Sequence, residues 1–297
     1  MKIPIIFLGT SQAIPTATRN HTAILLRYKN ENILIDCGEG TQRQFRKAKI
    51  NPCKLTRILI THWHGDHVLG LPGLFQTLVL NGYKKTLHIY GPKGTKKYIK
   101  ELSKFFPIKR LKIETKEIKG KFLNTPDFEI SALPLQHGCP CNGYIFKEKH
   151  KMRINKTKLK KLKIKDKSKI AQLAKGKPIK INKKTINPSQ LTYKQPSRKI
   201  AFILDTKLTS NANKLAQNSK LLITEATYSK NQKNLAKKYG HLTAEQAAKI
   251  AKKAKVKKLI LTHISQRYEF KEKILLKEAK KIFPNTTIAK DFMKVEV

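Results

Sequence analysis

The sequence predicts a four-layer α/β protein in which two β-sheets are sandwiched between helices. Short apolar runs bounded by Gly, Asn or charged turns recur through the first half, helical patterns separate them, and the same plan returns in the second half. In order, strands are predicted at residues 3–8, 23–27, 33–35, 58–60 and 87–90, with helices at 71–80 and 96–106, where apolar residues recur at helical spacing. A strand follows at 130–135, then strands at 200–204, 221–224 and 259–262. Thr243 and Gln246 have the spacing of a capping box that opens a helix running to about Lys255. At 297 residues the chain is long enough for one large domain or two small ones, and motifs at both ends favour a single domain over 1–297.

Charge bounds the partners. The chain carries 64 Lys and Arg against 19 Asp and Glu, a net +45, a field that gathers polyanions at the surface. Lys, Ile and Asn are all abundant, as in a genome biased toward A and T, so the placement of the charge says more than its sum. Residues 149–196 interrupt the strand and helix pattern with 17 Lys and Arg and one acid, Asp166. This stretch reads as an inserted basic arm that clamps a phosphate backbone, or as a solvated lysine-rich linker. Its 158–164 segment is too apolar for pure disorder, and Gly176-Lys177-Pro178 marks a turn within it.

The four cysteines form neither a Cys-x-x-Cys pair nor a disulfide framework, so reduced thiols in a cytoplasmic protein are expected. The apolar N-terminus is too short for a signal segment, and no run approaches the roughly 18 apolar residues of a membrane span.

The chemistry concentrates in Thr61-His-Trp-His-Gly-Asp-His67, which follows an apolar run and packs three imidazoles and a carboxylate onto one turn. These are ligand types that zinc accepts. His137, Asp205 and His263 each follow a predicted strand, and strand ends that converge on one rim are where a sheet sandwich builds a site. On that reading His62, His64 and His137 hold one zinc, Asp66, His67 and His263 a second, and Asp205 bridges them. Trp63 alternates with the ligands and is expected to pack away from the metals.

With Gly9-Thr-Ser11, Asp36-Cys-Gly-Glu-Gly-Thr-Gln-Arg43, Gly70-Leu-Pro-Gly73, Tyr90-Gly-Pro92, Gly143-Tyr144, Glu225-Ala-Thr227, His241 and His263-Ile-Ser-x-Arg-Tyr268 added, the chain resembles the metallo-β-lactamase superfamily and, within it, the ribonuclease Z family nearly end to end. The resemblance implies an αββα sandwich with two Zn2+ per subunit, or Mn2+ or another divalent ion in their place. It implies an endonuclease that trims tRNA precursors 3′ of the discriminator nucleotide, leaving a tRNA 3′-hydroxyl and a trailer 5′-phosphate. In such an enzyme Asp66 orients or deprotonates the attacking water, and Glu225 with His241 stabilises the phosphate and protonates the leaving oxygen. RNA contacts are then expected from Arg19 and Asn20, from Arg267, and from Lys160, Lys161, Lys163, Gly176, Lys177 and Pro178 of the arm, an exosite for the tRNA elbow. A homodimer is implied as well. Leu204, Thr224 and Ala17 depart from the residues usual in that family. Two other readings use the same residues: a general metal-dependent phosphodiesterase on small or cyclic diesters, and a non-catalytic RNA-binding protein with structural zinc.

Overall fold

The computed structural model describes residues 2–106, 108, 110–162, 164–181 and 184–297, and the chain divides into two compact units. The larger comprises residues 1–124, 130–146 and 199–297. It contains two seven-stranded sheets. The first runs Lys294–Glu296, Pro4–Gly9, Ala23–Tyr28, Glu31–Ile35, Arg57–Leu59, Leu87–Gly91 and Ile113–Glu117. The second runs Thr286–Ile288, Leu259–Thr262, Leu221–Glu225, Lys199–Ile203, Pro140–Glu148, Phe128–Gln136 and Gly120–Asn124. Each predicted strand is present, with ends that differ by at most two residues.

Alternation along the strands builds the layers. Ile6, Leu8, Leu25 and Ile58 pack with Phe45, Leu74 and Leu78 of the helices Thr41–Lys47 and Leu71–Leu80. Ala201, Ile203, Leu222 and Leu261 pack on the far side with Leu215, Ile250 and Leu275 of Ser210–Ala216, Ala244–Lys253 and Lys273–Lys280. Residues of opposite parity, including Tyr28 and Phe146, fill the space between the sheets, where those two rings meet edge-on at 5.3 Å. The four layers are therefore helix, sheet, sheet, helix. The Thr243 capping box is formed: its hydroxyl accepts from Gln246 N (3.2 Å) while Gln246 Oε1 accepts from Thr243 N (2.9 Å).

Parallel pairing aligns the functional strand ends. Glu31–Ile35 and Arg57–Leu59 run parallel, so Asp36 and Thr61 emerge side by side. Lys199–Ile203, Leu221–Glu225 and Leu259–Thr262 also run parallel, which brings Asp205, Glu225 and His263 out at one edge. The carboxyl ends of parallel strands are the usual place for a site in such sheets.

The second unit comprises residues 125–129 and 147–198. It is folded rather than an extended linker. Lys151–Ile154 pairs with Thr192–Gln195, Ile179–Ile181 pairs with Lys184–Ile186, and the helices Lys156–Lys161, Lys167–Ala174 and Pro188–Leu191 complete it. Ile164, Leu173, Ile179 and Leu191 form its buried core. Gly176 closes the second helix at φ +78°, with Lys177 N donating to Gln172 O (2.9 Å) and Gly176 N to Leu173 O (3.0 Å). This paired closure needs a left-handed residue, which glycine adopts without a Cβ clash. Among the described residues no helix is long and apolar enough to cross a membrane.

Candidate metal centre

The turn after Arg57–Leu59 delivers His62, then the short helix Gly65–Val68 carries Asp66 and His67. His62 Nε2 and His137 Nε2 each stand 3.1 Å from His64 Nδ1, and each stands 3.6 Å from Asp205 Oδ2. Beside this group, His67 Nε2 and His263 Nε2 are 3.2 Å apart, each 3.2 Å from Asp66 Oδ2, and they lie 3.5 and 3.1 Å from Asp205 Oδ1. Each set offers four ligand atoms, all within 4.8 Å of one another.

The spacing itself tests the fit to metal. Tetrahedral ligands held at zinc distances stand about 3.3–3.6 Å apart, close to the separations in both sets. Asp205 Oδ1 is buried and has no hydrogen-bond partner, a costly state for a carboxylate oxygen that a cation would relieve. Oδ2 of the same carboxylate serves the first set and Oδ1 the second. The donor sets therefore suit two divalent ions joined through Asp205.

The ligand rings are anchored from behind. His67 Nδ1 donates to Asp36 Oδ2 (2.7 Å), His137 Nδ1 to Gly240 O (3.0 Å), and Thr61 Oγ1 and Thr227 Oγ1 lie 3.1 and 3.0 Å from Nδ1 of His62 and His263. A proton fixed on Nδ1 leaves the Nε2 lone pair free for a metal. Gly240 has φ +75°, and a Cβ there would stand 2.9 Å from His137 Nδ1, so the carbonyl reaches this ring only from glycine.

Electrostatics agree with this arrangement. Burial holds the pKa of His62 and of His64 below the ordinary histidine range. Asp66 and Asp205 stay charged, because neighbouring histidines outweigh the burial that would raise them. Burial opposes a charge on His67, yet Asp66, Asp205 and Asp36 push its pKa well up. The acidic ring that favours a proton there equally favours a metal cation, which would displace that proton.

Glu225 and His241 lie beside the second set. Glu225 is fully buried; its Oε1 accepts from Thr206 N (2.7 Å), its Oε2 from Thr227 Oγ1 (2.7 Å), and His241 Nδ1 is 3.1 Å from Oε2. A cleft of about 340 Å3 is lined by His64, Asp66, His137, Asp205, His241 and Arg267, with Ile14, Tyr228 and Tyr239 at its wall. Arg267 is exposed.

Other expected positions fall elsewhere. Arg19 is a correction: it is 3% exposed and turned inward, donating to Thr10 Oγ1 (2.8 Å), Ala289 O (2.7 Å) and Glu272 Oε1 (2.9 Å), so its guanidinium is not presented to RNA. Asn20 is tied down by Nδ2 donating to Glu39 O (2.6 Å) and by its own N donating to Asp291 (2.8 Å). In the second unit Lys160, Lys161, Gly176, Lys177 and Pro178 are exposed, and Lys163 lies outside the described residues. Trp63 donates to Thr95 Oγ1 (2.9 Å) and lies on the Tyr98 ring at 4.8 Å, away from the ligands. The sequence reading assigned no role to Asp36, Thr61 or Thr227. Asp36 had a usable signal, because it ends a strand just as Asp205 does.

Comparison with known proteins gives matches along the whole chain. The model of the beta-lactamase superfamily domain matches residues 142–264, and that of the anti-Pycsar protein Apyc1 matches residues 3–124. Ribonuclease Z of Methanothermobacter thermautotrophicus is 39% identical over 297 residues, 99% of this chain and 96% of that protein. Ribonuclease Z of Archaeoglobus fulgidus is 39% identical over 303 residues, 100% of this chain and 98% of that protein. The crystal structure of human tRNase Z, short form, superposes with a TM-score of 0.69 at 27% identity and covers 98% of both chains.

Proposed function

Since this chain belongs to the ribonuclease Z family and has the metallo-β-lactamase fold, we propose that it is a zinc-dependent endoribonuclease that removes 3′ trailers from tRNA precursors. It cuts 3′ of the discriminator nucleotide and leaves a tRNA 3′-hydroxyl and a trailer 5′-phosphate. The observation that carries this reading is the shared cleft: two four-atom ligand sets joined by Asp205 open onto the space that His241 and Arg267 also line.

His62, His64, His137 and Asp205 would hold one ion, and Asp66, His67, His263 and Asp205 the other. When bound, two divalent ions supply Lewis acidity, acidifying water and offsetting charge on phosphoryl oxygens. Asp66 turns Oδ2 toward His67 and His263, which leaves Oδ1 to orient the attacking water and accept its proton. His241, held through Nδ1 by Glu225, presents Nε2 to the leaving 3′ oxygen and donates the proton it needs. Burial works against a charged His241, yet the Glu225 and Asp205 carboxylates lift its pKa to about 9, which favours the protonated ring that this role needs. Arg267 clamps a phosphate beside the cut.

We read 1–297 as one catalytic domain in which 149–196 is an exosite arm holding the tRNA elbow through Lys160, Lys161, Lys163 and the Gly176-Lys177-Pro178 turn. Arg19 acts from within, fixing the loop that carries Ile14 at the cleft. The enzyme works as a cytoplasmic homodimer. The test is gel mapping of a 5′-labelled precursor with zinc-loaded protein and its Asp66→Ala variant. One cut beside the discriminator, lost in the variant, is expected. An intact precursor alongside turnover of a small aryl diester would instead make the protein a general phosphodiesterase.

A further inference from the structure

The site contains two hydrogen-bond relays of the same form. In one, His62 Nδ1 meets Thr61 Oγ1 (3.1 Å), which donates to Asp36 Oδ2 (2.7 Å), and the same Oδ2 accepts from His67 Nδ1 (2.7 Å). In the other, His263 Nδ1 meets Thr227 Oγ1 (3.0 Å), which donates to Glu225 Oε2 (2.7 Å), and the same Oε2 faces His241 Nδ1 (3.1 Å). A threonine hydroxyl has one proton, and the 2.7 Å contact to a carboxylate takes it; at Thr227 the charged Glu225 oxygen wins it from the His263 carbonyl, which stands farther off at 3.1 Å. The hydroxyl oxygen must then accept from the imidazole, which fixes that ring with Nε2 unprotonated.

The relays differ at their far ends. Asp36 joins two residues of the metal sets, His62 and His67. Glu225 joins His263, a residue of the second set, to His241, which belongs to neither of the two four-atom sets joined by Asp205 and clusters instead with Glu225 and His263. We propose that Thr227 is a positioning residue that couples metal retention at His263 to the orientation of His241, so that the metal pocket and the proton donor are set by one hydroxyl. This rests on the reading of the preceding subsection for the role of His241, whereas its metal half stands on the geometry alone. Thr227 touches no reacting atom, being fully buried behind both histidines.

Thr227→Val keeps the shape and removes the hydroxyl; Thr227→Ser keeps the hydroxyl. Zn2+ retention is measured by competition with a chromophoric chelator, without RNA. Turnover is then measured at saturating Zn2+ on precursor tRNA and on an aryl phosphodiester whose leaving group needs no proton. The valine variant is expected to hold one Zn2+ equivalent about tenfold or more weakly, the size of effect that removing a ligand's outer partner has elsewhere. When refilled it should cut precursor with kcat about tenfold lower at unchanged KM, with a several-fold smaller loss on the aryl diester. The serine variant should stay within about threefold of the parent throughout. Parental Zn2+ retention in the valine variant overturns the proposal, as does parental kcat once it is refilled. Thr227→Ala, which cannot overpack, gives the same readings if valine prevents folding. A parent that fails to cut precursor removes the ribonuclease reading, while the chelator competition still judges Thr227's hold on the metal.

Discussion

The metal centre and the basic arm solve opposite problems. At the centre four imidazole nitrogens are anchored from behind by a carboxylate, a carbonyl and two hydroxyls, and Asp205 is 2% exposed. In the second unit a core of four buried apolar residues carries a surface of lysines on short helices and hairpins, Lys160 and Lys161 among them. Chemistry needs atoms fixed to fractions of an ångström, whereas polyanion binding needs only a sum of charge near a surface. The first should fail abruptly when one atom is lost, and the second should fade gradually.

The largest effect tests the abrupt side. Asp205→Ala removes an oxygen from each ligand set, and precursor cutting should fall by at least about 10⁴-fold, several kcal/mol of lost charge stabilisation, with metal content falling in elemental analysis. Precursor affinity in a gel-shift assay should barely move; a parallel loss of binding would mean that the two regions are not separate in function. His241→Ala should cost roughly 10²–10⁴-fold in kcat with metal retained. For the intact protein the sign of the pH dependence follows from the lifted pKa: the charged form of His241 is present below about 9 and lost as pH rises through it. Bound dications would bring that limb lower, and Glu225→Gln should move it lower still, which a kcat–pH profile reads.

Deleting 149–196 should raise KM for precursor on the order of 10²-fold and flatten its dependence on log salt, while turnover of an aryl diester at saturating Zn2+ persists. Unchanged KM would remove the arm from RNA binding. The smallest effects belong to single lysines: Lys160→Ala or Lys161→Ala should cost a few-fold and about one unit of salt slope, measured by affinity at several salt concentrations. Arg19→Ala sharpens the contrast from the other direction. It should destabilise folding by about 2–4 kcal/mol in a denaturant titration, from an unpaired Glu272 and lost buried hydrogen bonds, yet leave the salt slope alone.

Much of this was legible in the chain. Strands could be read because apolar runs end at turn residues, and the site because His137, Asp205 and His263 each follow such a run, where parallel pairing brings strand ends together. The relays were not legible. Thr61 and Thr227 are ordinary strand-end residues until the fold sets Asp36 and Glu225 next to them. Arg19 misled because its burial depends on Ala289 and Glu272, more than 250 positions away, whereas its neighbours in sequence suggest an open loop. The arm's lysines announced its charge, but its fold depends on Ile164, Leu173, Ile179 and Leu191, spaced too irregularly to reveal a shared core.

The ligands' spread along the chain also sets a schedule. His67 and His263 meet across 196 positions, so a ribosome working at 5–20 residues per second spends about 10–40 s between exposing one and the other. For most of that interval the growing polypeptide carries His62 to His67 without Asp205, which completes the first metal pocket, and throughout it without His263, which completes the second. A half-made copy is thus an unarmed nuclease, even when it already displays the positive charge of the arm.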